Sequence, residues 1–197
     1  MNKIIGLTGP TGSGKSYACL VAGNIKNIKV IDCDKIARKA VRKGTPGLNA
    51  LVNAFSSGIL KKDGTLNRRE LARRAFSSRE NTNLLNETIF PFITELIKGE
   101  ITDKKTILLD APTLFESGLD SICDTTIAIL ASKEIRLGRI IARDKIQTSD
   151  ALIRMNAGKP DEFYKAKADH IIYNDGNLAE YTNKISEILK LYTDTEE

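Results

Sequence analysis

The sequence predicts a three-layer α/β fold in which helices cover a mostly parallel five-stranded sheet. Short apolar runs of strand type alternate with helical stretches along the 197 residues, which is typical of parallel sheets. Several of these runs are apolar almost without alternation, as expected for strands buried on both faces. The predicted strands are 3–8, 29–31, 106–109, 125–130 and 170–172.

A glycine-rich loop follows the first predicted strand. Residues 9–16 read GPTGSGKS, which matches the phosphate-binding pattern G-x-x-x-x-G-K-[ST] at every fixed position. An apolar run precedes the loop and a helix-compatible run follows it, which is the context that the pattern requires. The alternative is a surface turn with a solvated lysine, and the complete match in this context disfavours it. The sequence therefore predicts a P-loop NTPase fold that binds a nucleoside triphosphate.

The residues of this loop have predicted roles. Backbone N–H groups of the turn converge on phosphate oxygens, and the N-terminus of the following helix adds the positive end of its dipole. Lys15 is predicted to reach the β- and γ-phosphates as a catalytic cation, and the Ser16 hydroxyl to bind Mg²⁺. The residues predicted to bind the nucleoside triphosphate are Thr11, Gly12, Ser13, Gly14, Lys15 and Ser16.

A carboxylate ends the third predicted strand. Asp110 follows the apolar run 106–109, and in a P-loop fold this strand lies beside the first, with its carboxylate facing Mg²⁺ or a water bound to it. Many strands end in an aspartate that serves only as a turn residue, so the pattern is weak without the glycine-rich loop. With the loop present, we predict that Asp110 and Ser16 form the metal side of the site.

Two carboxylates end the second predicted strand, in the segment 30–34. Phosphoryl transfer to an alcohol benefits from a carboxylate that orients the hydroxyl and accepts its proton. Asp34 lies further out than Asp32, and we predict that Asp34 is this catalytic group. The alternative role for Asp34 is an N-cap of a helix that starts at Lys35, and the two roles are compatible.

Two basic segments are predicted as insertions rather than layers of the sheet, within a single domain over residues 1–197. The first, residues 35–104, is helical and rich in Arg and Lys, and the second is residues 133–167. Pro91 is expected to separate two helices of the first segment, because proline disfavours helical geometry at the residue before it.

Arg139 and Arg143 stand one helical turn apart in the second segment. Charge develops on the γ-phosphoryl group during transfer, and a mobile arginine can neutralise it when the site closes and excludes water. The alternative is an ordinary solvated helix face. We predict that one of the two arginines contacts phosphate, and we count both as catalytic candidates.

The composition limits the classes of function. A net charge of +5 suits phosphorylated small molecules and nucleic acid equally, but aromatic residues are only 6% of the chain, so a nucleic-acid partner has little support. Three cysteines without metal spacing, no signal peptide and no apolar run of membrane length predict a cytoplasmic protein with no membrane partner. The acidic tail 194–197 is expected to be frayed. The oligomeric state is left open.

These motifs, in this order, resemble those of the dephospho-CoA kinases over nearly the whole chain. The matching strings are IGLTGPTGSGKS at 5–16, VIDCDKIAR at 30–38, DGTLNRRELARRAF at 63–76, LLDAPTLFESGLD at 108–120, RLGRIIARD at 136–144 and KAKADHIIYNDG at 165–176. The resemblance implies ATP-dependent phosphorylation of the ribose 3′-hydroxyl of dephospho-CoA, the last step of coenzyme A synthesis. It also implies substrate binding at 35–104, a lid at 133–167 and a nucleotide contact at Asn174.

Several positions depart from the family pattern. Pro10-Thr11 replaces a usual Gly-Ile, Phe90 a His, Gly158 a Gln and Tyr164 a Lys. These departures bear on substrate affinity or identity, whereas the core of the predicted chemistry is retained. The retained residues are Lys15, Ser16, Asp34 and Asp110. Two alternatives stay open, namely a kinase of the same fold with another nucleoside or nucleotide as acceptor, and a nucleotide-binding regulatory protein with little turnover.

Overall fold

The five predicted strands form one parallel sheet in the computed structural model, which describes residues 3–101 and 105–193. Every predicted strand end lies within one residue of the observed end. The strands are β1 (Ile4–Thr8), β2 (Ile28–Asp32), β3 (Thr106–Asp110), β4 (Thr125–Leu130) and β5 (His170–Tyr173). Their order in the sheet is β2-β3-β1-β4-β5 and every neighbouring pair is parallel. The predicted α/β class is confirmed, and β1 lies at the centre with β3 beside it.

Helices connect these strands throughout the described residues. They are α1 (Lys15–Gly23), α2 (Cys33–Ala40), α3 (Pro46–Phe55), α4 (Arg68–Ala75), α5 (Arg79–Glu100), α6 (Leu114–Ser117), α7 (Lys133–Asp144), α8 (Thr148–Asn156), α9 (Asp161–Lys165) and α10 (Leu178–Lys190). Among the residues that the structure describes, none of the helices has both the length and the apolar composition of a membrane span. The tail 194–197, predicted to be frayed, lies outside the described residues.

Helices cover both faces of the sheet, which gives the three predicted layers. On one face, α1 and α10 pack against side chains that include Ile5, Ile127 and Ile129. On the other face, α2–α5 pack against Ile107 and Leu109. Alternate residues of a strand point to opposite faces, so strands covered on both sides need apolar residues at nearly every position.

The segment 35–104 differs from its prediction as an insertion separate from the layers. Ile36 of α2, Leu51 of α3 and Ile97 of α5 share one buried cluster with Ile107 and Leu109 of β3. An amphipathic helix must bury its apolar stripe against another element, and the open face of the sheet provides that surface. This segment therefore supplies a layer of the fold. Its residues 102–104 lie outside the described residues.

The predicted helix break at Pro91 is wrong, because α5 runs from Arg79 to Glu100 with the proline inside it. Proline removes one backbone donor from a helix. The Thr94 hydroxyl donates to the carbonyl groups of Phe90 and Pro91, at 3.1 and 2.9 Å. Ile93, beyond the proline, is buried in the same cluster as the first half of the helix, so tertiary packing outweighs the local preference.

Candidate active site

The glycine-rich loop joins β1 to α1 at the carboxyl ends of the central strands. Gly12 and Gly14 have φ angles of +80° and +102°, which glycine adopts without steric cost. A Cβ atom on Gly12 would lie 2.8 Å from the carbonyl oxygen of Arg136. Helix α7 therefore packs directly on the loop, and the predicted strand–loop–helix context is confirmed.

The carbonyl group of Ser13 is held from two directions. Arg139 Nη1 on α7 donates to this oxygen at 3.2 Å, and Asn174 Nδ2 donates to it at 2.8 Å. Asn174 follows β5 and is itself buried, and its own carbonyl accepts a hydrogen bond from Arg139 Nη2 at 3.1 Å. The loop, α7 and the end of β5 are thus joined by one hydrogen-bonded group of side chains.

Two further carbonyl groups of the loop are held in the same way. Arg136 Nε donates to the carbonyl of Thr11 at 3.0 Å, and the Tyr181 hydroxyl of α10 donates to the carbonyl of Gly14 at 3.1 Å. The N–H and carbonyl of one trans peptide point in opposite directions. Holding these carbonyls against the protein turns the corresponding N–H groups toward the open side of the loop, which suits a bound anion.

Lys15 forms an ion pair with Asp110. Lys15 begins α1, Asp110 ends β3, and their side chains are only 14% and 22% exposed. The pair brings the predicted catalytic lysine to one of the predicted metal ligands, while Ser16 next to Lys15 is exposed. A hydroxyl and a carboxylate are hard oxygen ligands, and Mg²⁺ in kinases needs few such ligands beside phosphate and water. The donor set at Ser16 and Asp110 fits this ion.

The two carboxylates after β2 have separate positions. Asp32 pairs in register with Asp110, and its Oδ1 accepts the Lys35 N–H at 2.9 Å as the N-cap of α2. Partial burial opposes ionisation of Asp32, but the hydrogen bonds from Lys35 hold its pKa below the ordinary value. The capping role considered for Asp34 is wrong, because α2 starts at Cys33. Asp34 lies exposed in the first turn of α2, and its catalytic role stays a prediction.

A cavity of about 470 Å³ brings the loop and both predicted arginines together. Residues 9–16, Pro112, Arg139 and Arg143 line it. Arg143 is exposed. Its Nε and Nη2 donate to the two carboxylate oxygens of Asp144, at 2.7 and 2.9 Å. Arg139 is half-buried on the loop carbonyls. A phosphate contact by either arginine stays a prediction.

Sequence reasoning did not select Arg136 and Tyr181 as site residues. Arg136 stands three residues before Arg139 and therefore near the same helix face, a spacing that was visible in the sequence. Tyr181 is part of the apolar stripe of α10, and a buried tyrosine hydroxyl generally needs a polar partner. Neither pattern identifies the loop carbonyl to which each side chain donates a hydrogen bond.

Of the departures from the family pattern, Pro10 and Thr11 line the cavity itself, whereas the other three lie around it. Tyr164 of α9 is buried against Ala128 and Leu130 of β4, and burial, with Glu116 nearby, raises its pKa to about 12. Phe90 packs on the cluster beneath α2–α5. Gly158 borders a second cavity of about 580 Å³ between α7, α8 and α9.

The three cysteines are poorly suited to thiolate chemistry. Burial raises the pKa of each of the thiols of Cys19, Cys33 and Cys123 to about 12. For Cys33 the nearby carboxylates Asp110, Asp34 and Asp32 act in the same direction. Thiolate chemistry at neutral pH is thereby disfavoured.

A family model for dephospho-CoA kinases matches residues 3–180 of this chain. The dephospho-CoA kinase of Corynebacterium efficiens is 38% identical over 194 residues, which cover 94% of this chain and 96% of that protein. The dephospho-CoA kinase of Halalkalibacterium halodurans is 32% identical over 192 residues, which cover 95% of each chain.

Solved structures agree with this grouping. The dephospho-CoA kinase from Campylobacter jejuni has a TM-score of 0.66 and 28% identity, with complete coverage of both chains. TT1252 from Thermus thermophilus has a TM-score of 0.77 and 28% identity, over 96% of this chain and 97% of that one. A shikimate kinase from Acinetobacter baumannii, 16% identical with a TM-score of 0.54 over 97% of this chain and 93% of that one, shares the fold. The predicted P-loop kinase fold is confirmed.

Proposed function

The chain belongs to the dephospho-CoA kinase family, and on that basis we propose that it transfers the γ-phosphoryl group of ATP to the ribose 3′-hydroxyl of dephospho-CoA. The observation that carries the proposal is the cavity of about 470 Å³ in which the glycine-rich loop, Arg139 and Arg143 meet. Family membership supports dephospho-CoA as the acceptor, and the cavity supports ATP as the phosphate donor. Both substrates are small molecules.

Binding of the donor uses the loop as a preformed anion site. The phosphates of ATP accept hydrogen bonds from the N–H groups that the held carbonyls turn toward the cavity, at the positive end of the α1 dipole. Lys15 exchanges its ion pair with Asp110 for the β- and γ-phosphate oxygens. Asp110 is then free to act with Ser16 on the metal side. A bound Mg²⁺ supplies positive charge that neutralises the phosphates.

Activation of the acceptor is assigned to Asp34. Its carboxylate accepts the proton of the 3′-hydroxyl as the hydroxyl oxygen forms a bond to the γ-phosphorus. The bond from that phosphorus to the bridging oxygen breaks, and ADP leaves. Asp34 suits this role because it is exposed, its neighbour Asp32 already caps α2, and β2 ends at the same sheet edge as β3.

Closure of the site is assigned to α7–α9. Arg143 stands at the cavity on the exposed end of α7, and exchange of Asp144 for the γ-phosphate would bring a second positive charge to the transferred group. Arg139 stays on the loop carbonyls at the other side of the cavity. Movement of these helices toward the segment 35–104 would exclude water from the reacting phosphate.

Release of ADP, measured by a coupled assay with a panel of acceptors, tests the proposal. Dephospho-CoA should support turnover, whereas adenosine, AMP and other nucleoside monophosphates should not, and phosphorus NMR of the product should place the new phosphate on the 3′ oxygen. Faster turnover with another nucleoside or nucleotide would instead establish a kinase with a different acceptor. Tight ATP binding without turnover on any acceptor would establish a regulatory nucleotide-binding protein.

A further inference from the structure

Arg136 has a buried guanidinium group. Among residues 3–101 and 105–193 it is the one charged residue that is almost fully buried, with 4% of its surface exposed. A buried charge is costly unless it is paired and hydrogen-bonded. The partners of this side chain therefore determine whether the fold tolerates the buried positive charge.

Two partners hold the guanidinium, and they belong to different parts of the molecule. Nε donates to the carbonyl oxygen of Thr11 in the loop at 3.0 Å. Nη1 donates to Asp161 Oδ1 at 2.9 Å, and Asp161 is the first residue of α9. Arg136 thus links the loop to α9 through a charge-assisted hydrogen bond at each end.

The contact with Thr11 fixes the direction of one peptide unit. Because this peptide is planar and trans, a Thr11 carbonyl directed at Arg136 leaves the Gly12 N–H pointing the opposite way. Arg139 donates to the carbonyls of Gly12 and Ser13 but, among the described contacts, not to that of Thr11. The orientation of the Gly12 N–H therefore depends on Arg136.

We propose that Arg136, oriented by Asp161, is a positioning residue that holds the glycine-rich loop in its phosphate-binding form. The proposal rests on the proposed function only in taking ATP as the ligand of the loop. Asp161 matters because its carboxylate neutralises the buried positive charge and orients the guanidinium group through Nη1. Any displacement of α9 that removes Asp161 also loosens the loop, so α9 and nucleotide binding are coupled.

Nucleotide affinity of the folded protein separates this role from a merely structural one. The variants are Arg136→Met, which keeps an unbranched apolar stem, Arg136→Lys, which keeps the charge, and Asp161→Asn. The matched control is Glu162→Gln, which breaks the exposed 3.9 Å pair with Lys165 on the same helix. The Kd of ATP with Mg²⁺ is measured by calorimetry well below the Tm of every variant.

We expect Arg136→Met to raise the Kd of ATP at least about tenfold, the effect of losing a hydrogen bond from a charged group. Arg136→Lys should restore part of the affinity. Asp161→Asn should raise the Kd about threefold, within the range for an ordinary uncharged hydrogen bond, and Glu162→Gln should leave it unchanged. The Arg136→Met/Asp161→Asn double variant should bind no more weakly than Arg136→Met, because the two residues act through one contact.

A folded Arg136→Met protein with the wild-type Kd would overturn the proposal. If this variant does not fold, the Kd of Asp161→Asn decides the question. Asp161→Asn is expected to fold, because Asp161 is 25% exposed and asparagine keeps an acceptor oxygen. An unchanged Kd in Asp161→Asn would then overturn it. The readout is ATP binding, so an inactive wild type toward dephospho-CoA would refute the proposed acceptor and leave this test intact.

Discussion

The sheet and the predicted lid, α7–α9, are held together by different interactions. Every residue of β4 is buried, and its side chains belong to apolar clusters on both faces of the sheet. In α7 and α8, the buried apolar cluster consists of Ile140, Ala151 and Met155, whereas Tyr164 of α9 is buried against β4. Ion pairs add to the contacts of α7 and α8, with Asp144 pairing to both Arg143 and Arg154.

This difference predicts unequal stability. Burial of apolar surface contributes about 25 cal/mol per Å², so a strand covered on both faces is firmly held. Exposed ion pairs contribute about 0–1 kcal/mol each. We therefore expect the predicted lid to belong to the low-stability end of the molecule, with the glycine-rich loop between a rigid support on β1 and a looser one on α7.

The largest expected effect concerns Lys15 of the glycine-rich loop. Lys15→Ala should reduce turnover by roughly 10³-fold or more and greatly weaken ATP binding, because no other side chain of the loop supplies a charge to the β- and γ-phosphates. The fold should survive, since the surrounding core is apolar. Turnover and thermal melting are measured together, with Lys29→Ala as the control, which removes a lysine paired to Glu100 away from the loop. Near-normal turnover in folded Lys15→Ala would refute the phosphate-binding role.

The next effect separates the two carboxylates after β2. Asp34→Asn should lower kcat by roughly 10²–10⁴-fold, the contribution of a positioned general base, with little change in ATP affinity. Asp32→Asn is the matched control and should lose much less activity, because asparagine caps a helix as well as aspartate does. Both kcat values are measured at saturating ATP and dephospho-CoA. Similar small losses at the two positions would mean that transfer proceeds without a base.

Truncation of buried side chains compares the two regions directly. Ile129→Ala should lower the free energy of unfolding by about 2–5 kcal/mol, the usual range for a buried isoleucine. Met155→Ala should cost less, because Met155 belongs to the small buried cluster of α7 and α8 rather than to the core of the sheet. Urea denaturation measures both, with the slope of the transition checked for constancy. Equal losses would contradict the proposed difference in stability.

Ligand binding should protect the lid more than the sheet. With ATP and dephospho-CoA each at about 100 times its Kd, each ligand stabilises the bound form by about 2.7 kcal/mol. Amide hydrogen exchange in residues 133–165 should change from fast to slow, while exchange in β1 and β4 should be slow with and without the ligands. The comparison is made with and without both ligands. Unchanged exchange across α7–α9 would show that this segment is not a lid.

The smallest effect concerns acidic pH. Hydrogen bonding to Arg143, with Arg154 nearby, lowers the pKa of Asp144 to about 2, below its usual value of about 3.9. Its contribution to stability is therefore complete above pH 4 and is lost as the pH falls from about 4 to about 2. The Tm difference between wild type and Asp144→Asn should be constant from pH 7 to pH 5 and shrink toward pH 2. A difference independent of pH would exclude this pairing in solution.

The sheet and the phosphate loop could be predicted from the sequence alone. Apolar runs that tolerate burial on both faces predicted all five strands, and the glycine pattern predicted the turn between β1 and α1. These features depend on local chemistry, namely the apolar character of each strand and the backbone freedom of Gly12 and Gly14, so they are readable without knowledge of distant contacts.

Contacts between distant segments determine which helix continues past a proline, which carboxylate caps α2 and which arginine is buried. Helix α5 passes through Pro91 because residues on both sides of it reach one cluster. Asp32 takes the cap because α2 starts at Cys33, directly after β2. Arg136 is defined by a loop carbonyl 125 residues away in the chain and by a carboxylate on α9. Contacts of this kind leave no local pattern, because their free energy arises only when separate segments meet.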